Sequence, residues 1–215
     1  MNILGIHTAG PACELALVQS DQVTATRHEP MLRGQDARLP GLVRDLLETA
    51  NITVADIDRI AVVTGPGSFT GIRVGVAFAR GLALATPTPC LGITTLEATL
   101  PAGQQGSAIV VLPAQKRPPD ITFWTQTFRS GAATGIAEET PLATLQDLLL
   151  SHPHMVYGDS AAVQPHLPTT TVHAAKPEAA RAAMLAARLD PEAHPARPVY
   201  ARAPDAALPK SSGAA

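Results

Sequence analysis

Residues 64–75 read Thr64-Gly65-Pro66-Gly67-Ser68-Phe69-Thr70-Gly71-Ile72-Arg73-Val74-Gly75, and their types and order could do chemistry. A β-branched run, Ile60 to Thr64, leads in, and a small-residue helix, Val74 to Ala85, is expected to lead out. A strand that ends in a glycine-rich turn before a helix aims several backbone N–H groups at one point, an arrangement that holds anions. The same turn can instead let two backbones pass closely. Gly65 and Gly67 tolerate positive φ, Pro66 fixes φ between them, and Ser68 or Thr70 suits the helix N-cap. No Gly-Lys-[Ser/Thr] follows, so this is not a Walker A loop. The dinucleotide fingerprint is missing too, with no acidic residue suitably placed about twenty residues on. On the residues alone, anion contact at Gly65, Gly67 and Ser68 stays open beside a packing turn, and packing is the commoner use.

Other reactive side chains are few. His7 ends the first apolar run, and with no evident carboxylate or cysteine partner it reads as a hydrogen-bonded strand-end histidine. His152 and His154 straddle Pro153, without the His-Glu-x-x-His spacing of a helical zinc site, so no metal site is assigned. Ser68 does not lie in Gly-x-Ser-x-Gly and reads as a turn or cap residue, so no catalytic residue is nominated. Cys13 and Cys90 form neither a zinc pattern nor a disulfide framework, and are expected to pack in a reducing compartment.

Bulk composition narrows the function further. Of 215 residues, 46% are hydrophobic and 16% charged, as in a soluble globular protein. A net charge of −2 supplies no basic field for nucleic acid, and 3% aromatic residues supply few stacking platforms. Any contact with RNA is therefore expected through a partner. The start of the chain carries no basic leader and no apolar run reaches membrane length, so the expected location is cytoplasmic, with no membrane contact.

The elements that must position these residues follow from periodicity. Ile3–Thr8, Cys13–Gln19 and Gln22–Glu29 read as an antiparallel meander. Asp36 is placed to cap a helix to about Asn51, with Leu39, Leu42, Val43, Leu46 and Leu47 on one face. A strand, the glycine turn, the helix, a strand at Cys90–Thr94 and a short helix from Thr95 complete a β-β-β-α-β-α order. After a linker at Pro101–Ser107, strands are expected at Ala108–Leu112, Asp120–Arg129 and Met155–Asp159, with helices at Thr144–Ser151 and Pro177–Leu189. The expected domains are a first lobe over 1–102, a smaller divergent second lobe over 103–203, and a disordered tail over 204–215.

This order, with Gly65 to Gly75 followed by Ala79-Arg80-Gly81-Leu82-Ala83-Leu84, resembles the bacterial TsaB (YeaZ-like) family of the actin-like ATPase superfamily. Gly92-Ile93-Thr94-Thr95-Leu96-Glu97-Ala98, the opening Ile3-Leu4-Gly5-Ile6-His7-Thr8 with Cys13 to Leu17, and Pro198 to Arg202 fit the same pattern. The resemblance is strong over about residues 1–100 and thin beyond. It implies an α/β protein of two ribonuclease-H-like lobes, with mixed sheets flanked by helices. It also implies a non-catalytic scaffold in making threonylcarbamoyladenosine beside the tRNA anticodon. The implied partners are a TsaD-like transferase and a TsaE-like ATPase that binds the complex. The chain alone is expected to be a homodimer, tRNA is met only indirectly, and any ATP or ADP sits at the complex interface. The alternative is a small actin-like ATPase or phosphotransferase.

Three departures weigh against that alternative. His7 stands where the family usually has Asp, and imidazole is a poor substitute for a hard oxygen ligand to Mg²⁺. Gln35 stands where a His is usual, and Ala114-Gln115-Lys116-Arg117, then Pro118-Pro119, replaces an Asp-Ala-Arg-like segment. Small residues at Gly71, Gly75 and Ala79 are spaced by four. By spacing alone they would face their own sheet. The resemblance favours a partner interface built from Leu39, Leu42, Val43, Leu46, Gly71, Arg73, Gly75 and Ala79, flanked by Arg80. On that reading Gly75→Glu leaves the strands intact and abolishes the complex.

Overall fold

A computed structural model describes residues 1–115, 121–152 and 154–199. The Lys116–Arg117 segment, Pro153, the closing residues from Tyr200 and the tail expected over 204–215 lie outside the described residues. The first half runs β1 (Asn2–His7), β2 (Ala12–Gln19), β3 (Gln22–Pro30), α1 (Gln35–Thr49), β4 (Arg59–Val63), α2 (Phe69–Ala85), β5 (Cys90–Ile93) and α3 (Thr95–Thr99). Its sheet has the order β3-β2-β1-β4-β5, antiparallel across the meander and parallel from β1 through β4 to β5. The parallel strands carry Ile60-Ala61-Val62-Val63 and Ile3-Leu4, apolar on both faces because helices cover both.

The second half runs β6 (Ser107–Gln115), β7 (Thr122–Arg129), β8 (Ala132–Ala133), β9 (Glu138–Pro141), α4 (Leu142–Ser151), β10 (Met155–Gly158), α5 (Ser160–Val163), β11 (Val172–Ala174) and α6 (Ala179–Ala186). The second sheet has the order β11-β10-β6-β7-β8, with β9 also on β7. Strand alternation along β6 sends Ile109 and Val111 into a core with Leu145 and Val163, and Ala108 and Val110 into another with Leu96 of α3. The expected α/β architecture of two mixed sheets flanked by helices is present. No described helix is long and apolar enough to cross a membrane.

Two boundaries differ from expectation for local reasons. Helix α2 begins at Phe69, five residues before Val74, because Ser68 takes the N-cap and its hydroxyl accepts the Gly71 N–H at 3.2 Å. Helix α1 begins at Gln35 after Gly34 in the left-handed region, so Asp36 lies in the first turn instead of capping it.

Strands before residue 102 build the first sheet and strands after it the second, while the end of the described chain returns to the first. Helix α6 packs on the first sheet, burying Ala182, Ala183 and Ala186 among Ile3, Leu4 and Ile60. Three polar ties hold it there. The Glu14 carboxylate accepts the Ala179 N–H at 3.1 Å, the Glu178 N–H donates to the Ala98 carbonyl at 3.1 Å, and Arg59 donates to the Ala186 and Leu189 carbonyls at 2.6 and 2.8 Å. Beyond α6, the Gly92 N–H donates to the His194 carbonyl at 2.9 Å, which covers the free edge of β5, and the Val199 N–H donates at 2.9 Å to the carbonyl of Thr64, which follows β4.

Gly5, mid-strand in β1, makes the α6 contact feasible: a Cβ there would strike the Ala179 carbonyl oxygen and come 3.1 Å from the Ala183 methyl. We expect Gly5→Ala to cost about 1–3 kcal/mol, read as a thermal midpoint lower by several degrees. Gly41→Ala, on α1 with open space around it, is the control and should leave the midpoint level or slightly higher. An unchanged midpoint for Gly5→Ala would mean that α6 does not press on β1.

Candidate functional site

Parallel pairing of β1, β4 and β5 brings the C-terminal ends of three strands to one edge of the first sheet. His7 ends β1, the glycine turn follows β4, and Thr95 opens α3 after β5. Gly65 has φ +107° and Gly67 φ +157°, conformations that side chains disfavour. The Gly65 carbonyl accepts the Thr95 N–H at 2.8 Å and the Pro66 carbonyl accepts the Thr95 hydroxyl at 2.6 Å. The Ser68 N–H donates to the Ala9 carbonyl at 2.7 Å, and a Cβ on Gly67 would collide with that same oxygen. Of the candidates for holding an anion, Ser68 thus donates its N–H to the Ala9 carbonyl and accepts the Gly71 N–H at its hydroxyl oxygen. Gly65 lies against Ile72 and Val199, and Gly67 against Ala9. The geometry is that of a turn through which backbones pass closely.

The predicted interface residues are mostly consumed by the protein's own core. Leu39, Leu42, Val43 and Leu46 of α1 and Ala79 of α2 are buried in the first-sheet core. Gly71 and Gly75 are buried where α2 crosses the end of β1: the Thr8 hydroxyl donates to the Gly71 carbonyl at 2.7 Å, and a Cβ on either glycine would strike Thr8. The interface assignment for these seven residues is corrected, because a sheet that must be covered takes the apolar stripe first. Gly75→Glu therefore breaks the fold before it tests any partner. Arg73 does point outward, its guanidinium 3.7 Å above the Phe69 ring, beside exposed Ala77, Arg80, Gly81 and Leu84, the last 85% exposed.

Between the two sheets lies a cleft of about 440 Å³. One wall is His7, Ala9, Gly10, Pro66, Gly67 and Thr95, and the other includes Leu112, Pro113 and Trp124. The turn from Gly158 to Ala161 and the approach to α6, Ala174 to Pro177, close the remaining side. Asp159, Ser160, Lys176 and Trp124 were not singled out in the sequence. They become a group only once β6, β7 and β10 are seen to end opposite β1.

His7 is 4% exposed, and its Nδ1 has no hydrogen-bond partner among the described residues. The hydrogen-bonded strand-end histidine expected from the sequence is thus corrected. Burial, with a smaller contribution from His28, lowers its pKa from 6.5 to about 4, so the ring is neutral at pH 7. Gln35, at the start of α1, is buried as well. His152 is exposed and His154 half-buried, its pKa lowered by burial and by His152. Among the described residues no three His, Cys, Asp or Glu side chains group as metal ligands. Burial raises the thiols of Cys13 and Cys90 to about 11, which keeps both protonated and unreactive at pH 7.

The cleft residues do not fit a magnesium nucleotide, the ligand that an actin-like fold implies. A divalent cation takes hard oxygen ligands, and polyphosphate takes cations and N–H donors. Here the strand-end residue is a neutral imidazole, and Asp159 is the one carboxylate on the described walls. The Ser68 N–H is already donated to the Ala9 carbonyl, and Lys176 is the one cation on the described walls.

Comparison with known proteins bears on family and fold. The family model described as "TsaD: tRNA N6-adenosine threonylcarbamoyltransferase" matches residues 31–164, more than half of the chain. The chain is 36% identical over 142 residues to the Escherichia coli (strain K12) "tRNA threonylcarbamoyladenosine biosynthesis protein TsaB", which is 65% of this chain and 61% of that protein. It thus spans under two thirds of that relative's length. A Pseudomonas aeruginosa crystal structure, titled as an uncharacterized protein with similarity to peptidase YEAZ, superposes with TM-score 0.73 at 25% identity, over 94% of this chain and 99% of that one. A ROK hexokinase from Thermus thermophilus superposes with TM-score 0.51 at 12% identity, over 86% of this chain and 96% of that one, a likeness of fold.

The buried imidazole has a measurable consequence. The unfolded chain protonates His7 from about pH 6.5, whereas the folded chain keeps it neutral to about pH 4. Its contribution to stability is complete above pH 6.5 and is lost as pH falls through that window, about 3 kcal/mol in all. His7→Leu should flatten this part of the urea-unfolding profile between pH 7 and pH 4.5. Equal slopes in both proteins would show that the ring is charged, or exposed, in the fold.

Proposed function

The chain belongs to the TsaB (YeaZ-like) family, related to TsaD within the actin-like ATPase superfamily, and from that premise we propose that it is a non-catalytic scaffold and activator in tRNA threonylcarbamoyladenosine biosynthesis. Its partner is a TsaD-like transferase, and a TsaE-like ATPase joins the resulting complex. Alone the chain forms a homodimer, tRNA is reached only through the complex, and any ATP or ADP sits at the complex interface. The setting is the cytoplasm.

His7 carries the non-catalytic part of this reading. An actin-like ATPase needs an oxygen ligand where β1 enters the cleft, and a neutral, buried imidazole offers a single lone pair to a proton donor. The partner part is supported by the outward face of α2. Arg73, Arg80 and Leu84 stand on it, with no acidic residue anywhere in the helix. Next to it, α1 presents exposed Arg44, Asp45 and Glu48. A face of mixed charge around an exposed leucine suits an interface with a polar rim. Activation then follows by population shift: a partner lobe that docks on this face only in its active conformation is held in that conformation.

Light scattering on eluates from size-exclusion chromatography, with the chain alone and mixed with the TsaD-like protein from the same source, tests the reading. The expected result is a heterocomplex that forms as the homodimer disappears. Arg80→Glu combined with Leu84→Asp should weaken that complex at least tenfold, about 1.4 kcal/mol, with the thermal midpoint unchanged because both side chains are exposed. No heterocomplex would overturn the scaffold reading. A complex indifferent to the double variant would move the interface off α2. Saturable Mg²⁺-dependent ATP turnover by the chain alone would favour the ATPase alternative.

A further inference from the structure

We propose that the groove where α6 meets the end of α3 and the linker after it is a binding site for a small aliphatic carboxylate, with the carboxylate on Arg181 and the chain against Leu100, Pro101 and Met184. This does not rest on the partner reading. The groove has a volume of about 380 Å³, within the range that encloses small organic ligands. Its walls come from Val23 of β3, the segment from Ala98 to Ala102, and α6 with its lead-in from Glu178 to Met184. The approach to α6, Ala174 to Lys176, closes it and is all that it has in common with the cleft between the sheets. A ligand held here lies against both connections between the two halves, the linker after α3 and the lead into α6.

Arg181 is the anchor. Its Nε–H donates to the Leu100 carbonyl at 2.9 Å, which fixes the guanidinium at the groove wall. Its Nη groups have no hydrogen-bond or ion-pair partner among the described residues, and they are not sealed from solvent. The side chain is half-buried, and burial, with Arg188 as a further cation nearby, lowers its pKa, as for a cation short of counter-charge. Glu97 acts in the opposite direction, but its carboxylate already accepts the Thr94 N–H at 2.7 Å. With Nε taken by Leu100, the edge formed by the two Nη groups remains, and a carboxylate meets that edge with two parallel N–H···O bonds. Lys176 adds a second cation to the walls and Glu178 an anion, so one net positive charge is left for a ligand to match. A polyphosphate exceeds that charge and sets its oxygens against Leu100, Pro101 and Met184, whereas an aliphatic chain is buried by them.

The full chain would be titrated with sodium hexanoate by calorimetry and by amide correlation spectra, beside hexanol, hexylamine and inorganic phosphate at matched ionic strength. The expected outcome is saturable hexanoate binding that shifts the amides of Val23, Ala102, Ala180 and Met184, at least tenfold tighter than hexanol or phosphate, with no saturable binding of hexylamine. Arg181→Gln, which keeps a donor for the Leu100 carbonyl, should weaken hexanoate binding at least tenfold while the circular dichroism spectrum holds. Ala102→Glu, at an exposed linker position, sets a like charge beside the groove and should weaken it too, which supplies a second variant if Arg181→Gln fails to fold. No saturable hexanoate binding up to its solubility would overturn the proposal. So would hexanol or phosphate bound as tightly as hexanoate, shifts confined to residues away from the groove, or hexanoate affinity unchanged in the folded variants. Loss of the partner complex would leave these outcomes unaffected, so the two readings fail separately.

Discussion

The close packing of β1 against helices on both of its faces is the constraint on which the rest of the structure depends. Alternation along the strand sends Gly5 and His7 to one side and Leu4, Ile6 and Thr8 to the other. On the first side Gly5 admits the backbone of α6, and on the second Thr8 meets the glycine face of α2. Both contacts are made at distances that no Cβ would permit, so they demand glycine at residues 5, 71 and 75 and leave those residues unavailable for anything else. The central strand of a five-stranded sheet is thereby clamped, and the end that carries His7 is held where the cleft opens.

Helix α6 gives the clamp its long-range consequence. Its residues follow the second sheet in sequence, yet its methyl groups are buried in the core of the first. Glu14 from β2 accepts at its N-terminus and Arg59 from β4 donates at its C-terminus, so charge favourable to the helix dipole is supplied at both ends by strands of the other half. The chain therefore crosses between the halves twice, once through α3 and the linker and once on the way into α6. The cleft lies between these crossings, with the approach to α6 forming part of its wall.

Much of this was legible in the order of residues. The meander, the strand into the glycine turn and the following helix are local patterns of alternation and cap chemistry, and local physics decides them. The row at Gly71, Gly75 and Ala79 shows where sequence reasoning stops. Spacing identified one helix face correctly, but spacing is the same whether that face meets a partner or the protein's own sheet. What decided it was Thr8, 63 residues from Gly71, reaching the helix from the end of β1. The placement of α6 was hidden for the same reason. An alanine-rich helix declares that something packs closely on it, and Gly5 declares the same of β1, but nothing local says that the two answer each other. The cleft residues Trp124, Asp159 and Lys176 come from three separate segments and carry no shared motif, so only the strand ends bring them together.

The two faces of β1 also separate two kinds of surface. Helices α1 and α2 lie on the Thr8 side, and their outward residues, Arg73, Arg80 and Leu84 among them, look away from the cleft. His7 and Gly5 lie on the α6 side, with the cleft beyond. The outward face of the helix pair and the cleft thus lie on opposite sides of one strand and share no residue. The glycine turn links them, since Ser68 caps α2 while Pro66 and Gly67 line the cleft. That link is a rigid one, because Thr95, Ala9 and Val199 hold the turn from three directions through hydrogen bonds of 2.6 to 2.9 Å.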